Sequence, residues 1–446
     1  MEDNLRDIGG HYLELASLLA DGSRELGYRP TLVTHHSFSQ RNPQLRADNR
    51  LKDLALDPQF HVRRMENWSL GVDGPALVQR NPSGKFVGGT PALRLLETIR
   101  EIACRPSRRP KSMLKNWSSA FVESVLRFSP VDGDRIVINT GGDFQILALA
   151  RALDQINQIG DGRSLTIHVV FHFAIYDSVV TDRARAFGRQ VNAAVQQMTP
   201  HQIHLHATTD SLTNQLAEVG INASAIPYPT RRRDAVMEKS PTREPIKILL
   251  AGMPRAEKGR DEIQGILQAI ELPHLRSGRC TWSMQLPRKR WQRMIPPTMH
   301  ELVDGPAGQS SSVLEVLRGN LTSEDYHAWL DTADVGLFLY DADRYVARCS
   351  GVLLEMMIRG VPVIVPDRCW LAEQVRAAEK SGPIGWIYRS TTEIPGILDR
   401  LPGQLNDMIQ NCRRHAETVA SVHSGRNTLL EMGVENRYVD MMRDAG

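Results

Sequence analysis

The chain is poor in several features that would place it quickly. Only five of its 446 residues are cysteines, at positions 104, 280, 349, 369 and 412, and no two form a CxxC pair. An odd, scattered set excludes a disulfide framework and a paired-cysteine zinc site, so inert free thiols are expected. No apolar run approaches the ~20 residues that a spanning helix needs. The opening "MEDNLRDIGG" lacks the basic and apolar regions of a signal peptide, which points to a cytoplasmic protein. The formal charge is only +3, and no basic stripe is interleaved with aromatics, so nucleic-acid binding is not expected.

The charge that is present is concentrated. "CRPSRRPKSMLKNW" carries Arg105, Arg108, Arg109, Lys111 and Lys115 around two prolines, and "RRR" at 231–233 forms a second cluster. A solvated loop and a solvated linker explain both. For residues 105–115 the sharper expectation is a surface that meets anionic lipid at the inner face of a membrane, or a phosphorylated acceptor.

The length calls for two domains of about 200 residues each. In the first half, an amphipathic helix follows Gly9 and Gly10, and "PTLVTHH" is a short buried strand. A strand at 135–139 leads through Thr-Gly-Gly into a helix, "LTIHVVFHF" is a strand, and a helix spans about 182–197. "IHLHATTDSLTNQLAEVG" gives a further strand and helix. Residues from about 40 to 115 lack this regularity and are expected to form an insertion. "IPYPTRRRDAVMEKSPTREP" has four prolines and no periodicity, as a linker would. After it, "IKILLAG", "CTWSMQL", "SSVLEVLRG", "DVGLFLY" and "GVPVIVP" read as strands separated by helices, one of them "SEDYHAWLDTA" with Ser323 as its cap. The expected organisation is an N-terminal Rossmann-like domain at 1–228, a linker at 229–245, a second domain at 246–400, and C-terminal helices at 401–446 that pack back on the first. Both domains are α/β and doubly wound, facing across a cleft.

Two turns of the second domain carry chemistry. "AGMPRAEKGRDEI" places Gly252, Arg255, Lys258 and Gly259 between a strand and a helix. Two cations, backbone N–H groups and a helix N-terminus suit a diphosphate, although an exposed basic turn would look the same. Neither a P-loop nor a GxGxxG fingerprint is present. About ninety residues on, "YDADRYVARCSGVLLEMMIRGVPVIVPD" sets Ser350, Gly351 and Val352 at a helix start and Glu355 in its first turns. The N–H groups of Gly351 and Val352 suit a phosphate, and a carboxylate suits the vicinal diol of a ribose. A dipole-favoured surface glutamate is the plain alternative for Glu355.

Together these turns resemble the donor domain of retaining glycosyltransferases of the GT-B fold, of the family-4-like kind. The resemblance implies that Arg255 and Lys258 hold the donor diphosphate and that Glu355 holds the donor ribose. "GGHYLEL" looks like the glycine loop of the first domain, with Gly9 and Gly10 approaching donor phosphate or acceptor. It implies a nucleotide-sugar donor, a glycan, lipid-linked or small-molecule acceptor, retention at the anomeric carbon, and no metal or other cofactor. His172 ends a strand where that family often faces the acceptor, and His11 is an alternative to it. The adjacent His35 and His36 point to opposite faces and cannot readily share a metal, and "DAD" at 341–343 reads as a polar loop.

The chain also departs from the family. The family's second glutamate, eight residues before the first, is here Ala347. Contact with the transferred sugar then falls to Asp341, Asp343, Tyr345 or main chain near Ser350. The eight residues before the glycine loop hold no apolar strand, so either the true start lies upstream or the first domain lacks a central strand. These departures support the alternative of a degenerate scaffold that binds a sugar nucleotide or a partner protein without transfer. An epimerase would need acid–base residues on the donor side, and no clear set is present.

Overall fold

The computed structural model describes residues 1–8, 11–41, 48–52, 54–62, 79–80, 86–87, 90–103, 111–160, 162–177, 179–232, 244–289, 291–303, 313–319 and 321–437. The chain forms two compact units: Met1–Ile226 together with Leu429–Gly446, and Pro227–Thr428.

In the first unit, α1 (His11–Glu25) precedes β1 (Thr31–His35) and the single turn α2 (Ser37–Arg41). Residues 40–115, expected to be irregular, contain regular elements. β2 (Ala55–Phe60) pairs in parallel with β1, β3 (Gln79–Arg80) pairs antiparallel with β4 (Phe86–Val87), and α3 (Pro91–Ala103) follows. Arg105, Arg108 and Arg109 lie outside the described residues. Lys111 is no loop residue: it begins α4 (Lys111–Phe128), and Trp117 in that helix is buried. Then come β5 (Arg135–Ile138), α5 (Asp143–Ile159), β6 (Thr166–Phe171), α6 (Asp182–Gln196), β7 (Gln202–Ala207), α7 (Asp210–Glu218) and β8 (Ser224–Ala225). β5 to β8 form one parallel sheet in chain order.

The place between β1 and β5 is filled by Met1–Asn4, where no strand was legible. Glu2 N–H donates to Val33 O at 2.9 Å, and Asn139 N–H donates to Met1 O at 3.1 Å. The polar side chains are accommodated by partners rather than by apolar packing. Thr140 Oγ1 donates to Glu2 Oε2 at 2.6 Å. Asp3 Oδ2 accepts from Trp117 Nε1 at 3.0 Å and Gln145 Nε2 at 3.2 Å. Burial raises the pKa of Glu2 to about 8 and that of Asp3 to about 7. On one face of β6 and β7, His168 Nδ1 lies 3.0 Å from His206 Nε2, and the ring of His204 stacks 5.0 Å from His168.

The second unit carries β9 (Ile246–Leu250), α8 (Ile263–Ile270), β10 (Cys280–Leu286), β11 (Leu314–Arg318), α9 (Ser323–Leu330), β12 (Val335–Leu337), α10 (Gly351–Ile358), β13 (Val363–Pro366), α11 (Trp370–Ala377), β14 (Gly385–Tyr388) and α12 (Ile394–Val422). After it α13 (Gly425–Glu431) spans the boundary between the units. Its six strands are all parallel, in the order β11-β10-β9-β12-β13-β14. Both faces are covered, so the strands are apolar on each side. Ile246, Ile248 and Leu250 enter one core cluster, and Leu249 and Ala251 enter the other. The helix expected directly after the basic turn starts later, because residues 256–258 and 260–262 form two short 3₁₀ turns. The cap of α9 is Thr322, not Ser323: its side chain accepts from Asp325 N–H at 3.1 Å. Among the described residues no helix is long and apolar enough to cross a membrane.

Candidate functional site

The strand order of the second unit reverses between β9 and β12, and sheets of this kind bind ligands outside the carboxyl ends at such a switch point. The turns after those two strands carry the residues singled out above. Gly252 follows β9 with φ +85°, a left-handed conformation that glycine adopts without strain. A Cβ placed there would lie 3.6 Å from Lys258 Nζ and 3.9 Å from Val352 Cγ2, so the two distant turns meet at this point. Gly259 allows the approach from the other side. Its φ is +70°, and a Cβ would stand 2.1 Å from Leu339 O, closer than any side chain permits.

Lys258 reaches over the ring of Tyr340, with Nζ 5.1 Å from the centroid. Burial lowers its pKa and the positive charges of Arg348 and Arg255 act the same way, while Tyr345 and Glu257 act against them. No carboxylate of the described residues comes within ion-pair distance of Lys258 or of Arg255, which is exposed. Arg348 stands over Tyr345, 5.4 Å from its ring centroid. Tyr340 and Tyr345 are buried, and burial pushes the pKa of each hydroxyl up to about 12.

Ser350 caps α10, its Oγ accepting from Leu353 N–H at 3.3 Å. The N–H groups of Gly351 and Val352 have no intrahelical acceptor, as at every helix start. Gly351 lies against Tyr228, and a Cβ there would be 3.2 Å from that ring. Glu355, on the next turn of α10, accepts a hydrogen bond on Oε2 from Tyr326 of α9 at 3.0 Å. Arg359 fastens the same turn: it donates to Glu355 O at 2.9 Å and to Asp331 Oδ1 at 2.8 Å, and lies 2.9 Å from His327 Nδ1.

The structure thus brings Gly252, Lys258 and Val352 into one locus, and joins to it, by short stretches of chain, Arg255, Ser350, Gly351 and Glu355. His172 belongs to the first unit, where it directly follows β6, is buried, and holds Asn139 O through Nε2 at 2.6 Å. Gly9 and Gly10 lie outside the described residues. Ala347 is fully buried, and Asp341 Oδ1 accepts from Asp343 N–H at 3.1 Å in a polar turn. Among the described residues no group of three His, Cys, Asp or Glu side chains is arranged to hold a metal ion. Sequence reasoning missed Tyr326, Tyr340 and Arg348. A phenol at the end of "DVGLFLY" was a readable signal for Tyr340, whereas nothing in sequence ties position 326 to 355.

No family model and no curated protein matches the chain. Solved structures do. A glycosyltransferase from Rickettsia africae ESF-5 is similar with TM-score 0.56 at 10% identity, covering 98% of this chain and 95% of that one. Anabaena HepE, solved in complex with UDP, gives TM-score 0.53 at 11% identity over 100% of this chain and 98% of its own. Sucrose-phosphate synthase from Thermosynechococcus elongatus gives TM-score 0.50 at 12% identity, covering 98% and 94%. The fold is therefore that of the GT-B glycosyltransferases, with two Rossmann-like domains. At these identities the likeness is one of fold.

Proposed function

We propose that the chain is a glycosyltransferase that moves a sugar from a nucleotide-sugar donor to a glycan, glycolipid or small-molecule acceptor. The observation that carries this reading is Lys258: an amine held at the switch point, over Tyr340 and beside Gly252, to which Val352 also comes close, with no acidic partner at ion-pair distance among the described residues. Such a charge is costly until an anion joins it. A donor diphosphate would take Lys258, Arg255 and the N–H groups of Gly351 and Val352, while Glu355 would accept from the ribose hydroxyls. As the sugar leaves, charge grows on the diphosphate, and these fixed cations and dipoles stabilise it without reorganising. The reading extends to retention of configuration and to transfer without a metal, with His172 on the acceptor side. UDP is the first nucleotide to try, because HepE was solved with it.

Ala347 favours a second reading, a scaffold that binds a sugar nucleotide but transfers nothing, because its buried methyl offers no polar group to a sugar. One experiment addresses both. Calorimetric titration with UDP, GDP and ADP should show one nucleotide bound, about tenfold or more weakly by Arg255→Ala and by Glu355→Ala. Binding with no hydrolysis or transfer of the matching nucleotide sugars would favour the scaffold. A folded protein that binds no nucleotide would overturn both.

A further inference from the structure

Glu355 is held more firmly than a carboxylate on a helix surface needs to be. Its carbonyl is taken by Arg359, which Asp331 fixes at 2.8 Å, so α9 and α10 are locked together behind it. Its side chain is taken by Tyr326, whose hydroxyl donates to Oε2 at 3.0 Å. The tyrosine ring is itself immobilised. It packs against Trp329, with centroids 6.1 Å apart. The Trp329 indole donates to Ser283 Oγ at 2.7 Å, and Ser283 Oγ donates to Glu315 Oε2 at 2.6 Å. Glu315 pairs with Lys247 Nζ at 2.9 Å. A chain of contacts thus runs from β9, β10 and β11 to one oxygen of one carboxylate.

An ionised carboxylate only accepts, so the phenol must be the donor. Burial and the Glu355 charge raise the Tyr326 pKa well above the ordinary value, so the proton stays on the hydroxyl at any physiological pH. A phenylalanine would fill the same space and lack only this bond. A carboxylate that discriminates a diol must present its acceptor lone pairs in a fixed plane, because a loose one swings to accept from water instead.

Resting on the donor-site reading, we propose that Tyr326 is a positioning residue for Glu355 and gives the site its preference for ribonucleotides over 2′-deoxyribonucleotides. A site built to pair a substrate hydroxyl rejects the analogue that lacks it, because the lone pair aimed at that hydroxyl then loses its partner. Without the phenol, Oε2 loses the donor that sets its plane, and the penalty for the missing hydroxyl shrinks.

The test is calorimetry with UDP, GDP, ADP and their 2′-deoxy forms on wild type, Tyr326→Phe, Glu355→Gln and the double variant. Wild type should prefer the ribo form of its nucleotide by about tenfold. Tyr326→Phe should lose most of that preference by weakening only the ribo form, with the melting temperature little changed. The double variant should lose no more preference than Glu355→Gln alone, since the phenol acts through that carboxylate. Equal weakening of ribo and deoxy forms would show a merely structural tyrosine and overturn the proposal, as would an undiminished preference. A wild type that binds nucleotides without preference would defeat this proposal alone. One that binds no nucleotide would defeat the donor-site reading and this proposal with it.

Discussion

Burial and two neighbouring cations disfavour the charge of Lys258 beside Gly252, and the ring of Tyr340 and the negative charge of Glu257 offset only part of this. Replacing it with an apolar side chain of similar length removes that penalty in the unliganded protein. Lys258→Met is therefore expected to melt at the same temperature as wild type or higher, and to show no stabilisation by the nucleotide that stabilises wild type. Thermal melting with and without nucleotide checks both halves, and a large drop in the unliganded melting temperature would contradict the first. His168 and His206 pose the inverse case. Burial lowers their pKa values to about 3 and about 4, so both are neutral in the folded state. The unfolded chain protonates near pH 6.5, so their contribution is full above that pH and is lost as pH falls toward the folded values. Glu2 and Asp3 are shifted upward and act in the opposite sense, so the wild-type profile alone does not isolate the histidines. The difference between wild type and His168→Phe does. It should move in favour of the variant by up to ~1.4 kcal/mol per pH unit between about pH 6 and 4.5, read from urea unfolding. A pH-independent difference would contradict the assignment.

At the scale of elements, α9 offers a direct check on which residue ends it. Thr322 Oγ1 accepts from Asp325 N–H with its own backbone extended, whereas Ser323 is already the first residue of the helix. Thr322→Ala should cost about 1 kcal/mol in denaturant unfolding and Ser323→Ala only a few tenths, the reverse of what sequence reading suggested. The misreading is instructive, since Thr-Ser-Glu-Asp offers two capping residues in a row and only backbone geometry chooses between them. Elsewhere the readable elements were those whose apolar period serves a core. β10 is buried along nearly its whole length, and its seven residues stand out as "CTWSMQL". β2 was hidden because Asp57 and Pro58 interrupt its pattern. Asp57 is buried there all the same, accepting from Ser124 at 3.2 Å and Arg127 at 2.5 Å. Met1–Asn4 was hidden for a related reason, being polar and satisfied by side chains more than a hundred residues away. The two turns of the candidate site were legible because glycine, cations and a helix start leave local marks. The partner of Glu355 was not, because a hydrogen bond across 29 residues leaves none.

At the scale of the molecule, the basic residues and an apolar surface lie close in the chain. Leu95 and Leu96 of α3 are 61% and 52% exposed, and Leu93 is exposed as well. Arg94 and Arg100 share that helix, and Arg105, Arg108, Arg109 and Lys111 follow within eleven residues of Arg100. We propose that this stretch meets anionic lipid. Co-sedimentation with vesicles containing phosphatidylserine should show binding that weakens as salt rises from about 0.05 to 0.3 M, because screening shortens the reach of surface charge to within ~10 Å. Absent or salt-insensitive binding would dismiss it.

The chain passes from the first unit to the second after Ile226 and returns after Thr428. The return is anchored: Arg437 N–H donates to Leu26 O at 3.1 Å, and its guanidinium bonds Asp134 at 2.9 Å and stands over Tyr28. This layout has a consequence for the order of events on the ribosome. Residues 227–428 emerge as one uninterrupted stretch and can fold as soon as they are clear of the exit tunnel. The half made first waits for its last strap until Arg437 has been added, roughly twenty to ninety seconds after its first residues at about 5–20 residues per second. The strap follows the end of the second unit, at Thr428, by only nine residues, so the two units are completed almost together.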